Sequence, residues 1–264
     1  IVPNAPGGGP DLIARLLAPK LSETIRQGVV VDNRASNNGI TGAEFGARGA
    51  PDGSSITVGN AGTHAINATL YKKLPYDPLR DFVAVSEIAN APMAVVSSGR
   101  LPANTLREFI AEAKKAQGRY NIAVAGATGE IAGNALKMMA QVEMGNVNYK
   151  GGAPAVTAVI ANEAQMTLTN YTAVAAQVEA GRLKLLAVTG AQRAAQIPTV
   201  PTVAESGLEG YDFSLWYGLF VPAKTPAATV QALYREVARI VALPEVRERL
   251  VATGHDVIGS TPEQ

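Results

Sequence analysis

Short apolar runs and amphipathic stripes alternate along the whole of this 264-residue sequence. Leu12, Ile13, Leu16, Leu17, Leu21 and Ile25 fall on one helical stripe with Asp11 near its start, which predicts a helix over 12–25, kinked or loosened by Pro19. A short buried strand is expected at 29–31. A polar turn-rich segment follows at 33–39, then a Gly-rich helix to about Arg48, a tight turn at Pro51-Asp52-Gly53 and a strand at 56–59. A short helix at 64–71 and a Pro-containing loop at 72–81 lead to strands at 83–88 and 93–97. From there strands at 121–125, 146–149, 165–169, 183–189 and 213–221 interleave with helices at 105–117, 130–142, 153–161 and 172–180. Two last helices are expected at 226–242 and 245–252. Strands joined through helices argue an α/β fold of mostly parallel sheets covered on both faces.

The block 98–210 reads as a self-contained α/β unit with a Pro-rich exit, Ile197-Pro198-Thr199-Val200-Pro201-Thr202. The strand Phe-Ser-Leu-Trp-Tyr-Gly-Leu-Phe-Val at 213–221 is too apolar to end a domain, so it returns to the first unit. Two lobes are therefore expected, residues 1–97 plus 211–264 and an inserted lobe at 98–210.

Composition narrows the chemistry. There is no cysteine, which removes disulfides, thiolate metal sites and cysteine nucleophiles, and the two histidines, His64 and His255, are far apart. A formal net charge of +1 with mixed signs does not favour nucleic acid or anionic membrane as a partner. No apolar run approaches the ~20 residues of a membrane span. Neither a G-x-S-x-G elbow nor an H-E-x-x-H motif occurs.

Five strand-to-helix turns remain as candidates for binding. The first, Pro3-Asn4-Ala5-Pro6-Gly7-Gly8-Gly9-Pro10-Asp11, lets backbone approach a ligand and opens a helix whose free N–H groups and dipole favour an anion. Its spacing matches no dinucleotide or P-loop fingerprint and no Lys or Arg follows at once, so a carboxylate or one small anion fits better than a nucleotide; the alternative is a plain turn with Asp11 as a first-turn residue. In Gly126-Ala127-Thr128-Gly129-Glu130, Thr128 either caps a helix or meets a ligand. In Tyr149-Lys150-Gly151-Gly152-Ala153-Pro154, Lys150 either pairs with an anion or is solvated. In Gly59-Asn60-Ala61-Gly62-Thr63-His64-Ala65-Ile66-Asn67, His64 is either a donor or a structural cap. Thr169-Asn170-Tyr171 closes the set. All five follow strands, where open parallel sheets place ligand crevices.

These residues carry a resemblance. The run Ile-Val-Pro-Asn-Ala-Pro-Gly-Gly-Gly-Pro-Asp-Leu-Ile-Ala-Arg at 1–15 is similar to the opening of the Bug-type, TctC-like extracytoplasmic solute receptors of tripartite tricarboxylate transporters. In order follow Asn33-Arg34, Gly39 to Gly42, Ala50-Pro51-Asp52-Gly53, the stretch from Leu70 to Pro78, Tyr149 to Ala155, Ala180 to Lys184, Leu186 to Thr189, Pro198 to Glu205 and Trp216-Tyr217-Gly218-Leu219-Phe220. The resemblance covers essentially the whole chain.

It implies a periplasmic, two-lobed Venus-flytrap protein without catalytic activity or cofactor. Such a protein binds a small organic carboxylate in a cleft between its lobes, closes on it and hands it to membrane permease subunits, as a monomer. Carried onto this sequence, the ligand set is Asn4, Pro6, Gly8 and Asp11 at the first loop, Asn38, Thr63, His64, Ala65 and Asn67, then Ala127, Thr128, Gly129, Lys150, Gly151, Thr169 and Asn170. Gly129-Glu130-Ile131 stands where many relatives carry Ser-His or similar, and Glu130, facing the cleft, would suit a ligand with a neutral or amino distal group. Two other functions stay open: a ligand sensor that hands its closed form to a signalling receptor, and an α/β hydrolase or transferase using Asp11 or His64.

Overall fold

The computed structural model describes residues 1–116, 118–149 and 152–264, without the side chains of Asn37, Gly126 and Ala127. The chain divides into two compact units, Ile1–Asn90 with Leu215–Gln264 and Ala91–Ser214. The divisions fall at Asn90/Ala91 and Ser214/Leu215, against the expected 97/98 and 210/211.

Unit 1 opens with α1 (Gly9–Ile25). Gly8 is the extended N-cap, Pro10 supplies a preset φ in the first turn, and Arg26 ends the helix in the left-handed region. The helix starts three residues before the apolar stripe, because Gly9 and Pro10 tolerate first-turn geometry. It continues through Pro19, which costs one backbone bond but leaves Ile13, Leu17 and Leu21 buried. α2 (Ile40–Ala47) follows a short 3₁₀ turn. β1 (Thr57–Asn60) leads through a π-helical turn at Gly62–Ile66 into α3 (Asn67–Leu70).

The unit 1 sheet is completed by β2 (Phe82–Pro92), which merges the expected strand at 83–88 with its tail. Its last member is β9 (Asp256–Val257), a two-residue strand too short to leave a periodic signal. Between them in sequence lies β8 (Ser214–Pro222), and the strand order is β1-β8-β2-β9. β8 runs antiparallel to β1, and β2 antiparallel to β9. α8 (Ala227–Val241) and α9 (Pro244–Ala252) pack together, and α8 packs on α1.

The strand expected at 29–31 does not form. Val30 is 84% exposed, and the ladder there is made by Val2, which bridges Asn33 in parallel. Three valines in a row satisfy a strand pattern, but pairing is decided by which neighbour is in register.

Unit 2 has strand order β5-β4-β6-β3-β7. Its strands are β3 (Ala94–Ser98), β4 (Asn121–Ala125), β5 (Gly145–Tyr149), β6 (Met166–Thr169) and β7 (Leu183–Val188). β4 pairs in parallel with β5 and β6, whereas β3 runs antiparallel to β6 and β7. The sheets are therefore mixed, and the parallel pairing read from the alternation is confined to the strands joined by helical crossovers. Those helices are α5 (Gly126–Ala140) and α6 (Gly152–Ala161), with α4 (Leu106–Ala116) before them and the short α7 (Ala175–Glu179) after.

α4 shows how local chemistry sets a boundary. Glu108 N–H donates to Thr105 Oγ1, while Glu108 Oε2 accepts from the N–H groups of Asn104 and Thr105. The helix then buries Leu106, Phe109 and Ala113. One apolar cluster of unit 2 gathers Val96, Ala123, Val156, Val159, Val174 and Leu183 from both sheet and helices.

Candidate functional site

In unit 1 the site is built at the ends of neighbouring strand segments. Val2 N–H donates to Asp32 O, Arg34 N–H to Val2 O and Val58 N–H to Ile1 O, at 2.8, 2.8 and 2.9 Å. Three turns leave this edge together: the Gly-rich loop after Pro3, the segment around Asn38, and the turn after Asn60.

Asp11 locks the first of these. Its side chain is 4% exposed. Oδ2 accepts the Gly7 N–H at 2.8 Å, Arg15 Nε reaches both oxygens at 3.0 and 2.9 Å, and Asn33 Nδ2 donates to Oδ1 at 2.9 Å. The hydrogen bond from Arg15 is the largest influence holding the carboxyl at about 2, helped by those from Gly7 and Asn33 against the cost of burial. Asn33 Nδ2 also donates to Asn4 O at 3.2 Å. A carboxylate held this way is a clamp on the loop and not a free base.

The clamp leaves a helix start with unused donors. Leu12 N–H returns to Gly8 O at 3.0 Å, but no side chain caps α1. The N–H groups of Gly8, Gly9 and Asp11 find no acceptor among the described residues. Pro6 and Gly8 are exposed, Asn4 half-buried. Three such donors at the positive end of a 17-residue helix suit a small anion.

The other two turns are tied to the first by a polar network. Asn60 Nδ2 donates to Asn4 Oδ1 at 3.0 Å, and Thr63 N–H donates to Asn60 Oδ1 at 3.1 Å. Tyr76 Oη donates to Thr63 O at 2.7 Å; Asn67 Nδ2 donates to Asn38 O at 2.9 Å; Asn38 Nδ2 reaches Tyr71 Oη at 2.8 Å. Thr63 and Asn67 are buried, whereas Ala65 and Asn38 are exposed. Asn33, Asn60, Tyr71 and Tyr76 thus belong to the set that holds these loops, and residue type and turn position alone did not single them out. Each does lie in a quoted motif, which was the available signal.

His64 is a packed ring and not a cap. It stacks on Phe220 with centroids 4.0 Å apart, meets Phe82 at 4.7 Å, and its Nδ1 lies 2.9 Å from Thr63 Oγ1. Burial pushes its pKa down to about 4, so it is neutral at pH 7. Because the unfolded chain binds that proton near 6.5, stability is expected to fall as pH drops from about 6.5 through about 4. Burial, the largest influence on His255, also lowers it and adds in the same direction. Melting temperature followed against pH should flatten in His64→Phe; identical profiles would count against this assignment.

Unit 2 brings its candidates to one edge in the same way. Ala125 is level with Tyr149 and Ala123 with Thr167 across the parallel pairs, so the carboxyl ends of β4, β5 and β6 lie side by side. No loop separates β4 from α5: the helix starts at Gly126, with Ala125 as N-cap and no side-chain cap. Thr128 is therefore a first-turn residue and not the cap, and the expected start at 130 was late because glycines hid the first turn. Gly129 is buried, Thr128 half-buried, and Thr169 Oγ1 lies 3.6 Å from where a Cβ on Gly152 would stand. Asn170 is the exposed N-cap of the 3₁₀ turn Tyr171–Ala173. The Ala127 side chain, and Lys150 and Gly151 altogether, fall outside the described residues. The Glu130 charge acts along α5 on Lys137, whose ammonium burial lowers and Glu130 partly restores. Lys137 Nζ in turn donates to Asn146 Oδ1 at 2.6 Å.

Among the described residues no His, Cys, Asp and Glu side chains cluster as a metal site, and no helix is long and apolar enough to cross a membrane.

The family model for the tripartite tricarboxylate transporter family receptor, TctC, matches residues 13–264. The chain belongs to this receptor family. A UPF0065 protein of Pseudomonas sp. is 35% identical over 266 residues, covering 100% of this chain and 79% of the relative. Protein BugT of Bordetella pertussis is 29% identical over 267 residues, covering 100% and 82%. Among solved structures, an R. palustris protein with adipate superposes with TM-score 0.81 at 32% identity, covering 99% of this chain and 89% of that one. MatC from Rhodopseudomonas palustris with bound malate gives 0.75 at 29%, covering 97% and 88%. The periplasmic binding protein BugD gives 0.76 at 31%, covering 99% and 89%. The receptor thus has the α/β periplasmic-binding-protein fold, its family consists of periplasmic solute receptors and not enzymes, and organic carboxylates are the kind of ligand its relatives hold.

Proposed function

We propose that this receptor captures a small organic carboxylate, such as a dicarboxylate, tricarboxylate, acidic amino acid or aromatic acid, by lobe closure and delivers it to the permease subunits of its transporter. The observation that carries this reading is the start of α1: three unused N–H donors on a loop whose shape is clamped by Asp11, Arg15 and Asn33. Donors held in place before binding lose little freedom when a ligand arrives. Neither the engaged Asp11 carboxylate nor the buried neutral His64 is a free general acid or base, which suits a protein that releases its cargo unchanged. The adipate and malate held by similar proteins support the ligand class.

Isothermal titration calorimetry against adipate, malate, citrate, glutamate and benzoate tests it. At least one acid is expected to bind with a Kd of about 10 μM or tighter, some −7 kcal/mol. Silence toward the whole panel would overturn the proposal.

A further inference from the structure

Tyr217 stands in β8 opposite Asn60 of β1. Its ring lies against the first turn of α1: a Cβ placed on Gly9 would overlap Tyr217 Oη, Cζ and Cε1, and Oη is the nearest of the three. The glycine is needed there because the tyrosine occupies the space a side chain would take. The residue is 8% exposed, and its hydroxyl has no hydrogen-bond partner among the described residues. Its ring also packs against His255, with centroids 5.3 Å apart.

A phenol that has no partner among the described residues and stands at the tip of a buried ring is a donor placed to meet an acceptor. The acceptor cannot come from the helix start beside it, whose N–H groups of Gly8, Gly9 and Asp11 are themselves donors in want of acceptors. One anionic oxygen pair would satisfy all of them. Resting on the carboxylate-receptor reading above, we propose that Tyr217 is a further ligand-binding residue whose hydroxyl donates to the same carboxylate that the start of α1 binds. Burial raises the phenol to about 12, so it remains a donor throughout the physiological range. The signal in the sequence is the Trp216-Tyr217-Gly218 run, which tells of an apolar strand and gives no hint that the phenol reaches a loop more than 200 residues upstream.

Tyr217→Phe removes only the hydroxyl and keeps the ring against Gly9 and His255. A hydrogen bond to a charged group is worth about 1.5–3 kcal/mol, so affinity for the tightest acid of the calorimetry panel is expected to fall about tenfold or more, with the melting temperature unchanged or slightly raised. A crystal structure of the unsubstituted protein with adipate, or with the panel acid that binds tightest, supplies the second reading, independent of how the variant folds. A carboxylate oxygen within about 3 Å of Tyr217 Oη is expected. Unchanged affinity in Tyr217→Phe, or a carboxylate bound elsewhere, would overturn the role of Tyr217 and leave the receptor reading standing. Failure of the unsubstituted protein to bind any panel acid would overturn both.

Discussion

Asp11→Ala is expected to weaken binding of the preferred carboxylate by at least tenfold and to lower stability by about 2 kcal/mol. The substitution removes the acceptor of the Gly7 N–H, of Asn33 Nδ2 and of Arg15 Nε at once. Gly7 sits at φ +86°, and that bond is what ties this glycine turn to the helix start. With the clamp gone the Gly-rich loop samples many conformers, and ordering it again on binding opposes affinity.

A pH dependence separates this from simple loss of packing. The folded carboxyl sits at about 2, against an ordinary 3.8. A depressed carboxyl stabilises the fold fully above the ordinary value, and that contribution is lost as pH falls through the folded value. Melting curves of the unsubstituted protein and Asp11→Asn should therefore differ at neutral pH and converge as pH falls from about 4 to about 2. A constant difference across that range, or undiminished binding in Asp11→Ala, would show that the carboxylate does not organise the loop.

Gly39→Val is expected to destabilise the fold near the site by about 3 kcal/mol or more. Gly39 has φ +73°, where a β-branched residue is strained by roughly 1–2 kcal/mol. The added Cβ would also come within 2.7 Å of Thr63 Cγ2 and 3.1 Å of Pro3 Cβ and Pro3 O, an overpacking cost of about 1–3 kcal/mol. Pro3 and Thr63 begin two of the three turns, so the strain falls on the loops that carry the donors. Urea denaturation and calorimetry should show stability and affinity falling together. Gly39→Ala should do the same to a smaller degree, and a Gly39→Val protein with native stability would refute the close approach.

Much of this organisation is legible in the sequence. The helix stripe Ile13, Leu17, Leu21 lies inward as its spacing requires, and the Thr105-x-x-Glu108 pattern starts a helix where such a pattern should. The Gly-rich stretch before Asp11 does open a helix, and Thr63, His64 and Asn67 do sit in one turn beside it. Other features were beyond it. Val29–Val31 satisfies a strand pattern but lacks a partner, while Val2 and Asn33 pair through backbone groups that no side-chain pattern records. β3 runs antiparallel to both neighbours, β6 and β7, which come much later in the chain, so no local pattern around β3 records its direction.

The sequence by itself determined where the helices and most strands form, which turns demand glycine, and, through its ordered motifs, the receptor family. All of these depend on residues within about ten positions of one another or on their order along the chain. Tertiary structure alone decided what the polar side chains do. The Asp11 carboxylate is a clamp on the Gly-rich loop, because Asn33 and Arg15 reach it, while the Asp11 N–H keeps no acceptor among the described residues. His64, which the chain leaves as a donor or a cap, is a neutral ring packed against Phe82 and Phe220. Tyr217 reads as one more apolar-strand aromatic and brings its hydroxyl to Gly9. A hydrogen bond or a desolvated ring is fixed by which groups arrive within about 3–4 Å, and that distance is set by strand pairing across tens to hundreds of residues.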